Sequence, residues 1–184
     1  MSRYLDDELL TEFDDALRSV NAAITHTWQP GVGDQEIDAA FGPLGLGVPE
    51  EARRWWRWHN GYRADARPPR HEITPRRPLS SVSRVAEIYK TSRDWEVPDK
   101  LVLQFVGDQP WLSLDCSGPR DAPVPIWMGS HGQEDVLVLP SMGDLVAIWI
   151  DLIHTGVFAT DNDGLWKPVD LEQVPQAVRG TGAY

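Results

Sequence analysis

The apolar residues of this chain repeat at two periods, and the change between them restricts the fold more than any other feature. Up to residue 90 they recur every three or four positions, as on one face of a helix, and over residues 101–139 they alternate, as on one face of a strand, before a helical period returns in 145–153. Leu5, Leu9, Phe13, Leu17, Val20 and Ile24 predict an amphipathic helix over residues 4–25. DQEIDAAF, with Asp34 at its cap, predicts a short helix stopped by Gly42 and Pro43, and LSSVSRVAEIYK predicts another, capped by Ser80 or Ser81. The Pro- and Arg-rich stretch 63–80 reads as a loop with one short strand around HEIT. LVLQFV and WLSLDC, joined by GDQP, read as a hairpin, with VPIWM and DVLVL as two further strands. In PSMGDLVAIWIDLIHTG, Ser141 and Asp144 form a capping signature, Leu145, Ile148, Trp149, Leu152 and Ile153 form an apolar face, and Gly156 is a stop. The economical solution is an α+β fold, a central mainly antiparallel sheet of about four to six strands packed with several helices, on which this last helix lies. The chain divides into an N-terminal helix and linker, 1–33, packed on an α+β domain over 34–169, followed by a loosely held tail, 170–184.

RRWWRWHNGY, 53–62, places three arginines and three tryptophans in six successive positions, a composition that suggests nucleic acid or a membrane surface. The flanks argue otherwise. Pro49 stands at a first helical position, Glu50 and Glu51 in the first turn, and Asn60 and Gly61 where a left-handed helix end belongs. In such a helix Ala52, Trp55, Trp56 and His59 share the inward side, Arg53, Arg54 and Arg57 project elsewhere, and Trp58 falls off the stripe, toward solvent or another element.

The total charge is −11, which opposes general nucleic-acid binding, because phosphate contacts need Lys and Arg. Its distribution is uneven. Residues 53–93 hold eleven Lys or Arg against Asp65, Glu72 and Glu87, a local surplus of +8 that leaves −19 on the rest. Such acidity repels nucleic acid and membranes and steers a basic protein toward the chain. The acidic start MSRYLDDELL and the absence of an apolar run longer than LVAIWI predict a cytoplasmic protein, and the lone Cys116 fits a reducing compartment.

Motifs for chemistry are scarce. GPLGLG, 42–47, has its glycines in the wrong order for a dinucleotide loop, and no Walker loop, nucleophile elbow or His-Glu-x-x-His occurs. Cys116, in LSLDC, reads as a small apolar residue turned to the core. His131 with Glu134 and Asp135 in GSHGQED is the best polar cluster, for a metal or a proton transfer, but it lacks a second histidine at ligand spacing and reads equally as a solvated turn. The expectation is therefore no metal, no cofactor and no catalysis, an enzyme using His131 being the remote alternative.

Taken in order, an N-terminal helix, LGLGVPEEARRWWRWHNG, LSSVSRVAEIYK, LVLQFVGDQPWLSLDCSG, PVPIWMGS and LPSMGDLVAIWIDLI resemble the SUKH superfamily over about residues 40–156. The motifs carrying the resemblance are the Pro49 helix start, the Asn60–Gly61 pair, Gly107–Asp108 at a strand turn, the Leu-x-Leu-Asp strand 112–115 and the Ser141-capped helix. A Pro-rich strand, APVPIWM, and a longer tail depart from the pattern. The resemblance implies an α+β domain without catalytic apparatus; the superfamily's bacterial members look mostly like immunity proteins that neutralise polymorphic toxins, often nucleases, by direct binding.

The leading expectation is accordingly an immunity protein, a monomer or homodimer that binds a basic toxin domain. The alternative is a regulatory or scaffolding domain for an endogenous protein. Trp58, Trp111 and Trp166 are the expected exposed anchors, with Asp108, Asp115, Glu134 and Asp135 as acidic contacts near strand ends.

Overall fold

The computed structural model describes residues 2–66, 69–70, 72–75, 77–92, 100–104, 111–129 and 136–175. The fold is α+β. Helices α1 (Asp7–Ser19), α2 (Asp34–Phe41), α3 (Glu50–Trp58), α4 (Val82–Ser92) and α5 (Met142–His154) surround an antiparallel sheet in the order β5 (Lys100–Gln104), β6 (Trp111–Asp115), β7 (Ile126–Gly129), β8 (Val136–Leu139). Two short ribbons stand apart from it, β1 (Trp28–Pro30) with β2 (His59–Tyr62) and β3 (Glu72–Thr74) with β4 (Arg77–Pro78).

α1 is shorter at both ends than the predicted 4–25. The Asp6 carboxylate accepts the Leu9 amide at 2.8 Å, and Leu9, Leu10, Phe13, Ala16 and Leu17 are buried. The helix stops at Ser19 because Asn21 takes a left-handed φ of 53° and the Ala22 amide returns to the Leu17 carbonyl at 3.0 Å, a Schellman ending in asparagine. Ile24 still reaches the core, from a 3₁₀ turn over Ala23–His26. In α2 the cap is Gly33, not Asp34, whose carboxylate is engaged by arginines of α3.

α3 does not end in the expected left-handed cap. The chain leaves Trp58 directly into β2, where Pro30 pairs with His59 and Trp28 with Tyr62. Gly61 does carry a φ of +82°, but inside this strand, where a Cβ would come within 2.9 Å of the Ser81 side chain. Asn60 acts across space: its Oδ1 accepts the Val82 amide at 2.8 Å, so it caps α4 together with Ser81, whose Oγ accepts Arg84 N at 3.3 Å.

In the central sheet Leu101 faces Leu114, Leu112 faces Met128 and Leu114 faces Ile126. Leu112, Leu114, Ile126 and Met128 form a buried face, but Ser113, on the other side of β6, is buried as well. The predicted hairpin turn around Gly107 and Asp108 lies outside the described residues. α5 is capped as expected, with the Asp144 amide donating to Ser141 Oγ at 2.9 Å. It lies along α1 and touches the sheet at β8. Phe13 links the layers, with ring centroids 6.5 Å from Trp55 and 5.8 Å from Trp149. Beyond α5 the chain folds back: Ala23 N donates to Gly164 O at 2.8 Å, and Val174 is buried.

Candidate partner-binding surface

The arginines of RRWWRW are already partnered. Helical spacing puts Arg53 and Arg57 four residues apart on α3, facing Asp34 and Asp38, four apart on α2. Arg53 Nη1 reaches Asp34 Oδ1 at 3.0 Å, its Nη2 pairs with Asp38, and its Nε donates to the Val48 carbonyl at 3.3 Å. Arg57 bonds both oxygens of Asp34, at 3.1 and 3.0 Å, and pairs with Glu50. The Arg53 hydrogen bond and the Arg57 charge hold the Asp34 carboxyl below the usual carboxylate range. Arg54 lies over the Tyr4 ring, 5.5 Å from its centroid. Arg53, off the tryptophan stripe, is nonetheless buried, its guanidinium satisfied by two carboxylates. Farther along, Arg63 pairs with Asp65 at 2.6 Å and Arg84 with Glu87 at 2.9 Å. The +8 surplus of residues 53–93 is offset in part by Asp34 and Asp38 of α2 and by Glu50 at the start of α3.

The exposed side of α1 is acidic, carrying Asp7, Glu8, Glu12 and Asp15, and Asp151 is exposed on the neighbouring α5. Arg3 and Arg18 answer only part of this charge, through pairs with Glu12 at 3.1 Å and with Asp14 at 3.0 Å.

Two of the tryptophans expected as exposed anchors pack partly within the chain. Trp58 is half-buried against the core, with centroids 5.8 Å from Phe13, 5.3 Å from Trp55 and 5.6 Å from Trp28. It closes the contact of α3 with α1 and β1 because a residue off the main stripe still meets whatever flanks the helix. Trp166 is also half-buried: it stands edge-on to Phe158 at 6.1 Å, and its Nε1 donates to the Glu72 carbonyl at 3.1 Å. Beside Trp58, His59 stacks on Trp28 at 3.8 Å; burial holds its imidazole below the usual range, although its Nδ1 lies 3.1 Å from the Gln29 carbonyl.

Asp115 ends β6 and folds its carboxylate onto its own turn, where Oδ1 accepts the Ser117 amide at 3.0 Å. Trp111 opens the same strand. Asp108, Glu134, Asp135 and His131 lie outside the described residues. Cys116 is half-buried, with Sγ 3.7 Å from the Leu114 carbonyl. Among the described residues no group of His, Cys, Asp and Glu is placed to hold a metal ion, and no helix is long and apolar enough to cross a membrane.

A residue that sequence reasoning assigned only to the helix dipole is the central polar group of the fold. Glu51 has no exposed surface, and its carboxylate accepts Leu5 N at 2.7 Å, Val124 N at 2.6 Å and Gly143 N at 3.1 Å. It thus joins the N-terminal arm, the approach to β7 and the first turn of α5, whose free amides suit an anion. Burial raises its pKa and the backbone hydrogen bonds oppose the rise. The signal available in the sequence was position: Glu51 precedes Trp55 by four residues, on the buried stripe.

No model of a known protein family matches the chain, and no curated protein is significantly similar to it.

Proposed function

We propose that this chain is a non-catalytic protein-binding domain, an immunity-type protein that occludes a basic toxin domain, in the manner implied by the resemblance of its motif order to the SUKH superfamily. The observation that carries the reading is electrostatic. The arginines most suggestive of nucleic acid are turned onto Asp34, Asp38 and Glu50, while α1 offers Asp7, Glu8, Glu12 and Asp15 to solvent. A chain of net charge −11 built this way attracts a cationic partner at long range, and desolvated contacts supply the affinity. Asp108, Trp111, Asp115, Glu134 and Asp135 remain its proposed contacts, and such a role places the chain in the cytoplasm.

The test is capture by the tagged full chain from its native cells at moderate salt, with mass spectrometry of what is retained. The expected result is a basic domain bound stoichiometrically, toxic when expressed alone and harmless when coexpressed with this chain. Stoichiometric capture of a non-toxic endogenous protein would replace the immunity role by a regulatory or scaffolding one.

A further inference from the structure

Among the described residues, the central sheet has an open side at β8. Its neighbours run β5, β6, β7, β8, so β8 pairs on one edge only, and among the described residues no hydrogen bond reaches the other edge of Val136–Leu139. The opposite end of the sheet differs, because β5 lies against α4.

The side chains of this edge are equally unusual. Val136 and Leu137 are 52% and 51% exposed, the large hydrophobic residues that stand exposed among those described. Successive strand residues point to opposite faces, so among the described residues Val136 leaves one face of this edge apolar and exposed, and Leu137 the other. That geometry matches an added strand, whose own side chains would flank both faces, better than a helix or globular surface resting on one face. Edge strands are ordinarily blunted by lysine, proline or a bulge. VLVL contains neither lysine nor proline, and the register irregularity of this pair falls between Leu137 and Leu139, beyond the exposed residues.

We propose that the outer edge of β8 is a docking strand that takes an extended, cationic segment of a partner protein as a fifth strand. Backbone hydrogen bonds to the open ladder would supply affinity, and apolar residues of the segment would cover Val136 and Leu137. Charge selects the occupant: a second copy of this chain would bring another −11 to the contact, whereas a basic segment is attracted to it. The proposal rests on the protein-binding reading above and gives it a surface.

The test uses the full chain and a synthetic peptide of about eight residues, a usual strand length, with lysines at both ends and adjacent valines in the middle so that apolar residues fall on both faces of the added strand. Amide exchange of the free chain comes first, with rapid exchange expected at alternate residues of Val136–Leu139. Protection there in a free monomer would mean that the chain covers its own edge, and protection in a dimer would assign the edge to a second copy; either overturns the proposal. With the peptide, saturable binding should slow exchange at those amides, and a version N-methylated on alternate residues should bind about tenfold or more weakly, from the loss of one or two hydrogen bonds. Equal binding of the two peptides, or binding that leaves β8 unprotected, reduces the effect to charge attraction and overturns the proposal. A toxin captured by the chain without protecting β8 would remove this surface and leave the immunity reading standing.

Discussion

The backbone amide of Leu5 lies 2.7 Å from Glu51 Oε1, and the same oxygen accepts the Gly143 amide at 3.1 Å, so one buried carboxylate fastens the N-terminal arm to the start of α5. Glu51→Ala would leave these amides and that of Val124 without an acceptor in the interior. The expected loss is about 3 to 5 kcal/mol, read from urea unfolding. Glu51→Gln isolates the charge. Because burial raises the folded-state pKa above the ordinary 4.5, the folded protein binds the Glu51 proton more tightly than the unfolded chain. The stability this provides is full below the ordinary value and is lost as pH rises through the folded one. Wild type minus Glu51→Gln stability should therefore fall as pH rises from about 4.5 toward neutrality. A flat or growing difference would show that the hydrogen bonds to the ionised form outweigh its burial.

Asn60 holds α4 from outside the helix, through the 2.8 Å bond from Val82 N to its Oδ1. Asn60→Ala should cost about 1 kcal/mol, as lost N-caps do, while Asn60→Asp keeps the acceptor and places a negative charge at the positive end of the helix. Thermal unfolding of the two variants separates them: Asn60→Asp should stay near the wild-type midpoint. Equal losses would mean that Asn60 serves through its amide nitrogen.

Gly31 is fixed by proximity. A Cβ built there would lie 1.7 Å from the Arg57 carbonyl oxygen, so β1 could not keep its place beside the end of α3. Gly31→Ala should destabilise by about 2 kcal/mol or more, as overpacking against backbone does. Gly47→Ala meets nothing within 4 Å and should stay within about 0.5 kcal/mol of wild type in the same urea titration.

The sequence displayed those parts of the fold that repeat. The stripe of α1, the inward Trp55 and Trp56, the shared face of Leu112 and Leu114 and the Ser141 cap follow from period and local chemistry, and all appear near their expected positions. Features set by a distant partner did not show. Asn60 next to Gly61 looks like a helix end, because nothing local reveals that Val82 waits for its carbonyl. Glu51 looks like a dipole residue, because its acceptors' partners lie up to 92 positions away. Arg53 and Arg57 against Asp34 and Asp38 were legible only as two separate four-residue spacings, since the facing of α2 and α3 is a tertiary fact. For the candidate surface, tryptophan exposure was the weakest inference: an aromatic off one helix stripe is free only if no second element reaches it.

Trp58 tests that last point directly. A surface anchor would be removed by Trp58→Ala with little change in folding, and the whole effect would fall on partner binding. Its rings instead meet Phe13 of α1, Trp28 of β1 and Trp55 of its own helix, so truncation opens a gap where three elements converge. The expected loss is about 2 to 4 kcal/mol, with Trp58→Phe recovering much of it because a smaller ring still fills the contact. Urea unfolding followed by tryptophan fluorescence reads both variants. The stability loss should also loosen its neighbours, seen as faster amide exchange in β1 and β2, which the Trp28 and His59 stack ties to Trp58. A Trp58→Ala protein as stable as wild type would return this residue to the surface as a partner contact and undo the packing role given to it here.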